Sequence, residues 1–109
     1  MANLLKETLE VLDNLGIKEE DVIYVVDRKN PKDCKFMTWE MFKDIARNKN
    51  YDEGLGLPEI NTALIIYTVD YILYRHEYDG AERWEEIPTL EHIHELLSGK
   101  APEVISIEE

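Results

Sequence analysis

Tyr71 to Ile87 (Y-I-L-Y-R-H-E-Y-D-G-A-E-R-W-E-E-I) most narrowly limits what this chain can fold into. Two runs of aromatic, β-branched and apolar residues flank Asp79-Gly80. An Asp-Gly pair supplies the positive φ that a two-residue type I′ turn needs at both centres, so the stretch reads as a β-hairpin. Side chains alternate between faces along a strand, and a two-residue turn therefore fixes the whole register. Tyr78 then faces Ala81, Arg75 faces Trp84, His76 faces Arg83, Tyr74 faces Glu85 and Leu73 faces Glu86. Neither side of the hairpin is purely apolar: Ile72, Tyr74 and Ile87 share one, Leu73 and Trp84 the other. Arg75 is expected over Trp84 as a cation–π pair. Glu77 opposite Glu82 sets like charges side by side, which invites a cation from Arg75 or from outside.

A lone hairpin is marginal in water and needs further strands or a helix against it. The rest of the chain supplies both. Asn3 can cap a helix over residues 4–15, with Leu5, Leu9 and Leu12 as a stripe widened by Leu4, Val11 and Leu15, and Gly16 as the stop. Val22 to Asp27 (V-I-Y-V-V-D) is a strand, expected to be buried on both faces for part of its length. A polar turn follows, broken at Asn30-Pro31, and Lys35-Phe36-Met37 can return as a short strand. Thr38 can cap a second helix, in which Trp39, Phe42, Ile45 and Ala46 recur at helical spacing. Residues 50–61 (N-Y-D-E-G-L-G-L-P-E-I-N) read as an irregular loop, and Thr62 to Thr68 as a strand. Thr89 opens a third helix whose inner stripe is Leu90, Ile93, Leu96 and Leu97, ended by Gly99. Residues 100–109 form an extended tail or a further edge strand. The expectation is a single α+β domain over 1–109, in the order α-β-α-β-β-β-α, with a mostly antiparallel sheet of three to five strands and helices on one face.

The 109 residues carry 24 acids against 12 bases, a net charge of −12, unevenly spread. Residues 28–49 hold seven bases and three acids; residues 76–109 hold ten acids and two bases. A field of this sign repels nucleic acid and acidic membranes and attracts basic surfaces. One cysteine, Cys34, rules out an intramolecular disulfide and suits a reducing compartment. The first ten residues lack the pattern of a secretory signal, and the apolar run at 63–67 is too short to span a bilayer. A cytoplasmic protein of a bacterial cell is expected, with no membrane contact.

The search for chemistry excludes more than it finds. His92 and His94 are two residues apart on a helix and point to different sides; no H-x-x-x-H or C-x-x-C pair exists, so no metal is expected. Gly54-Leu55-Gly56 lacks the lysine and the helix of a phosphate-binding loop. Ser98 and Ser106 lie outside any nucleophile turn. No catalytic residue and no cofactor are expected. The candidate contact residues are those of the loop and the hairpin: Tyr51, Asp52, Glu53, Glu59, Tyr74, Arg75, Glu77, Tyr78, Asp79, Glu82, Trp84, Glu85 and Glu86. An alternative groups Tyr51, Tyr74, Arg75 and Tyr78 around a small-ligand pocket.

Tyr51-Asp52-Glu53-Gly54-Leu55-Gly56-Leu57-Pro58-Glu59-Ile60, followed by Arg75-His76-Glu77-Tyr78-Asp79-Gly80-Ala81-Glu82-Arg83-Trp84-Glu85, resembles a group of small proteins from phages and mobile elements of Firmicutes. That group carries a Y-D-x-G-x-G…E-I loop, a strand, and an R-x-E-Y-D-G-x-E-x-W-E hairpin. The likeness spans about a third of the chain, and Arg83 stands where a second aromatic is usual. It implies a mobile-element origin. With the charge, it leads to the expectation of a non-enzymatic inhibitor that occupies a basic, nucleic-acid-binding surface of a host protein such as a CRISPR effector. Direct contact with nucleic acid is not expected; a homodimer through an exposed strand edge is a further expectation.

Overall fold

The computed structural model describes residues 1–30, 32, 34–52, 58–78 and 81–108. The elements run β1 (Ala2–Asn3), α1 (Leu4–Asn14), a 3₁₀ turn (Glu19–Asp21), β2 (Val22–Asp27), β3 (Lys35–Met37), α2 (Trp39–Ala46), β4 (Asn50–Tyr51), β5 (Leu64–Thr68), β6 (Tyr71–Tyr78), β7 (Ala81–Pro88) and α3 (Leu90–Leu97). Five strands form one sheet in the order β3-β2-β5-β6-β7, every pairing antiparallel. The α+β class is as expected. No helix among the described residues is long and apolar enough to cross a membrane.

The hairpin register is the one the turn requires: Tyr78 pairs with Ala81, Arg75 with Trp84 and Tyr71 with Pro88. Asp79 and Gly80 themselves lie outside the described residues, as do Pro31, Asp33 and residues 53–57. The helices start where hydroxyl and amide side chains can accept the first free backbone N–H groups. Asn3 accepts from Lys6, Thr38 from Met41 and Thr89 from His92. Gly16 and Gly99 take φ of 71° and 79°, the left-handed conformation that closes α1 and α3 at little cost for glycine.

Helices α1 and α2 cover one face of the sheet. Leu4 and Leu12 of α1, Trp39, Phe42 and Ala46 of α2, and Val25, Ile66, Leu73 and Trp84 of the sheet make the core, joined by Tyr51 and Ile60. Two expectations are corrected, and of the two readings of the tail the extended one is found. Strand β2 is buried on one face only: Val25 is enclosed, while Tyr24, on the other face, and Ile23, where the β2–β5 register shifts, stay half exposed. No residue of α3 is fully buried: of its apolar stripe only Ile93 is half-buried, and Leu90, Leu96 and Leu97 are exposed. The tail pairs with no strand among the described residues, and its apolar side chains are exposed.

A two-stranded ladder of β1 with β4, invisible to pattern reasoning, pairs Ala2 with Tyr51 and Asn3 with Asn50. It is braced by Asn3 Nδ2, which donates to the Arg47 carbonyl and to Asn50 Oδ1 at 3.0 Å each. This clip delivers Tyr51 to the core beside the hairpin.

Candidate functional site

Where α1, β4 and the hairpin meet, a charged group is enclosed. Arg75 points to the helix-covered face of β6, and its side chain is 2% exposed. A buried guanidinium is tolerable only when paired and hydrogen-bonded. Its partners come from three elements of the chain. Glu7 of α1 accepts from Nη1 at 3.1 Å, and the Tyr51 hydroxyl accepts from Nη2 at 3.2 Å. Glu82 of β7, its side chain also 2% exposed, lies 3.7 Å from Nη2. The Trp84 ring lies under the guanidinium, 4.8 Å from its carbon, with the Tyr51 ring at 5.7 Å. Arg75 Nε has no hydrogen-bond partner among the described residues.

The surrounding groups are each fixed in turn. Glu82 accepts the backbone N–H groups of Glu59 at 2.8 Å and Ile60 at 2.9 Å, which ties the 50–61 loop to the hairpin. Trp84 Nε1 donates to Thr8 Oγ1 at 2.9 Å, and that hydroxyl donates to the Leu4 carbonyl at 2.7 Å. The Tyr51 hydroxyl donates to Glu7. Burial first, and then the Glu7 carboxylate, push the Tyr51 phenol up to about 12. Breaking a buried ion pair by removing one partner is strongly destabilising. Here both carboxylates, the guanidinium and the phenol are committed to one another, so the cluster holds the fold together.

The expectation that Tyr51, Arg75, Glu82 and Trp84 lie on an exposed binding surface therefore does not hold: all four are interior. The Arg75–Trp84 cation–π pair is present, and the cation invited by Glu77 and Glu82 is Arg75, at least for Glu82. Asp52, Glu59, Glu77, Tyr78 and Glu86 are exposed. Asp52 donates its backbone N–H to the Glu59 carboxylate at 2.8 Å. Glu85 is half-buried and pairs with Arg83 at 2.6 Å. Tyr74 is half-buried on the opposite face of β6, opposite Ile65 and Glu85. Glu53 and Asp79 lie outside the described residues. A common pocket for Tyr51, Tyr74, Arg75 and Tyr78 is excluded by strand geometry, since residues 74 and 78 face the other side from residue 75.

Glu7 and Thr8 escape sequence reasoning. One hint exists: Thr8 falls midway between Leu4 and Leu12 at i, i+4 spacing, in the middle of the buried line of α1. A polar residue there calls for a buried partner.

A second cluster joins the turn after β5 to α3. His92 Nδ1 lies 3.9 Å from Asp70 and 3.4 Å from Glu95, and its ring packs on Tyr71 at 5.1 Å. The Thr89 N–H donates to the Asp70 carbonyl at 2.8 Å and its hydroxyl to the Val69 carbonyl at 3.0 Å. His92 is thus half-buried and partnered.

Fold and site define an antiparallel α+β domain with an internal ion-pair cluster. No protein-family model matches the chain, and no curated protein or solved structure matches it.

Proposed function

We propose that this chain is a non-enzymatic acidic interaction protein that engages a basic surface on a partner protein. In its finer form, the reading is an inhibitor from a mobile element that occupies the nucleic-acid-binding surface of a host defence protein such as a CRISPR effector. The observation that carries it is where the charge lies. Glu82 is the one fully buried carboxylate among the described residues, whereas Arg75, one of only twelve bases, is sequestered inside. The acid excess is therefore presented outward, along α1 at Glu10 and Asp13, at Glu19 and Glu20, and around the hairpin at Glu59, Glu77 and Glu86. Such a field speeds encounter with a cationic groove and disfavours acidic partners. The likeness of residues 50–85 to mobile-element proteins points the same way.

The test is competition. The purified chain is added to a CRISPR effector of a Firmicutes host, and target-DNA binding is followed as the salt concentration rises. DNA release at low salt that fades with added salt supports the reading. Unchanged DNA binding, with no chain retained on the effector at low salt, sinks the finer form. Failure to bind any of a panel of basic nucleic-acid-binding proteins sinks the coarser one.

A further inference from the structure

The sheet has a second face that no helix covers among the described residues. The strand registers set Phe36, Val26, Ile65, Tyr74 and Glu85 in one row across all five strands, and Tyr24, Tyr67, Ile72 and Ile87 in the next. The outward face of a half-covered antiparallel sheet is ordinarily polar. Here eight of these nine side chains are aromatic or aliphatic. Phe36 is 63% exposed and Tyr24 49% exposed, the two meeting edge to face at 5.3 Å. A continuous apolar patch of this kind marks an interaction surface.

The same chain carries a second apolar surface without cover. The α3 stripe is open, with Leu90 73% exposed and Leu96 and Leu97 about half exposed, and in the tail Val104 is fully exposed with Ile105 and Ile107 largely so. The first turn of α3 is fastened to the turn after β5 through Thr89, and its His92 rests on Tyr71.

We propose that the occupant of the open sheet face is a second copy of this chain: α3 and the tail of one copy lie across the sheet of the other, reciprocally. Charge favours this pairing over sheet against sheet. Residues 90–108 carry Glu91, Glu95, Glu103 and Glu108 against Lys100 alone. The open face carries Arg28, 3.5 Å from the Tyr67 hydroxyl, and Arg83, which is paired with Glu85, and Lys29 and Lys32 follow β2 at its end. An acidic apolar segment thus meets an aromatic face rimmed by cations, despite the net −12 of each copy. Reach is sufficient. Five strands about 4.8 Å apart separate the sheet edges by about 19 Å, and residues 98–108 extended span about 35 Å.

The inference concerns the chain alone and needs no basic partner, so it stands or falls apart from the proposed function. Sedimentation velocity of the full chain, up to about 200 µM in near-physiological salt, is expected to show reversible dimers. Phe36→Glu on the sheet and Leu96→Glu on α3 each alter an exposed side chain, and circular dichroism checks that each variant keeps its fold. Each should weaken association at least about tenfold. Mixing the two discriminates further: the Phe36→Glu copy still offers an intact α3 to the intact sheet of the Leu96→Glu copy, so mixed dimers with one good contact should exceed either variant alone. A strict monomer at the highest concentration overturns the proposal. So does a dimer indifferent to Leu96→Glu, or variants whose mixture associates no better than they do separately.

Discussion

Arg75 stands at the centre of the residue-scale logic, because a guanidinium removed from water depends on every partner it keeps. Removing one member of such a buried set costs about 3–5 kcal/mol. Glu82→Ala should reach that range, since it also strips the acceptor from the Glu59 and Ile60 N–H groups. Glu86→Ala, on the same strand but exposed, should stay within about 0.5 kcal/mol. Urea denaturation compares the two, and equal losses would show that the cluster does not hold the fold. Tyr51 gives a pH-dependent counterpart. Its phenol is pushed up to about 12, chiefly by burial, while an unfolded tyrosine ionises near 10. The proton thus favours the folded state: this contribution is complete below about pH 10 and is lost as pH rises toward 12. Tyr51→Phe should flatten that alkaline limb of a melting-temperature profile; an unchanged limb would mean that another group governs it. Part of this cluster is legible in the sequence. The Asp79-Gly80 turn fixes Arg75 opposite Trp84, so that pair follows from local rules. Glu7 and Thr8 do not follow, because they reach Arg75 and Trp84 from 68 and 76 residues away, through a docking of α1 that no local pattern encodes.

At the scale of elements, the helix caps separate what is anchored from what is merely formed. Thr38 caps α2, whose Trp39, Phe42 and Ala46 sit in the core. Thr38→Ala should lower global stability by about 1 kcal/mol. Thr89 caps α3, none of whose residues is fully buried. Thr89→Ala should chiefly speed amide exchange over residues 90–97, leaving the global unfolding midpoint near its wild-type value, as expected for an element that opens locally. Equal shifts of the midpoint in both variants would contradict this division. A third link joins the 3₁₀ turn to α2: the Trp39 indole donates to Glu19 at 2.9 Å, and this bond, helped by Lys43, holds the Glu19 carboxyl below its ordinary value of 4.5. A lowered pKa means that the contribution is present above the ordinary value and is lost as pH falls through the folded one. Glu19→Gln should therefore soften the acid limb of stability and leave the alkaline limb alone, and an unaltered acid limb would remove Glu19 from the account. The elements themselves are readable because each has a local cause: caps at Asn3, Thr38 and Thr89, stops at Gly16 and Gly99, β-branched runs in β2 and β5. The β1–β4 clip is not, since two-residue strands have no period. The stripe of α3 misleads for a related reason: amphipathic spacing says that a helix has an apolar side, not that anything in its own chain covers it.

The whole molecule is governed by a charge of −12 set on a body whose radius of gyration is 15.8 Å. At about 0.01 M salt the screening length is about 30 Å, so the acids of α1, the 3₁₀ turn, the hairpin and α3 repel one another across the whole domain. At about 0.1 M it falls to about 10 Å, and only neighbours still interact. Self-repulsion on this scale destabilises the compact state more than the expanded one. Screening also weakens the surface pairs Lys43–Glu40, Arg47–Asp44 and Arg83–Glu85, but such pairs contribute at most about 1 kcal/mol each. The Arg75 cluster, being enclosed, is hardly screened at all. The repulsive term should therefore win, and the melting temperature should rise between about 0.01 and 0.1 M sodium chloride. Working at low protein concentration keeps association out of the measurement. A falling melting temperature would mean that attraction between the cationic 28–49 segment and its acidic surroundings outweighs the repulsion, and that the net charge misrepresents the field a partner meets.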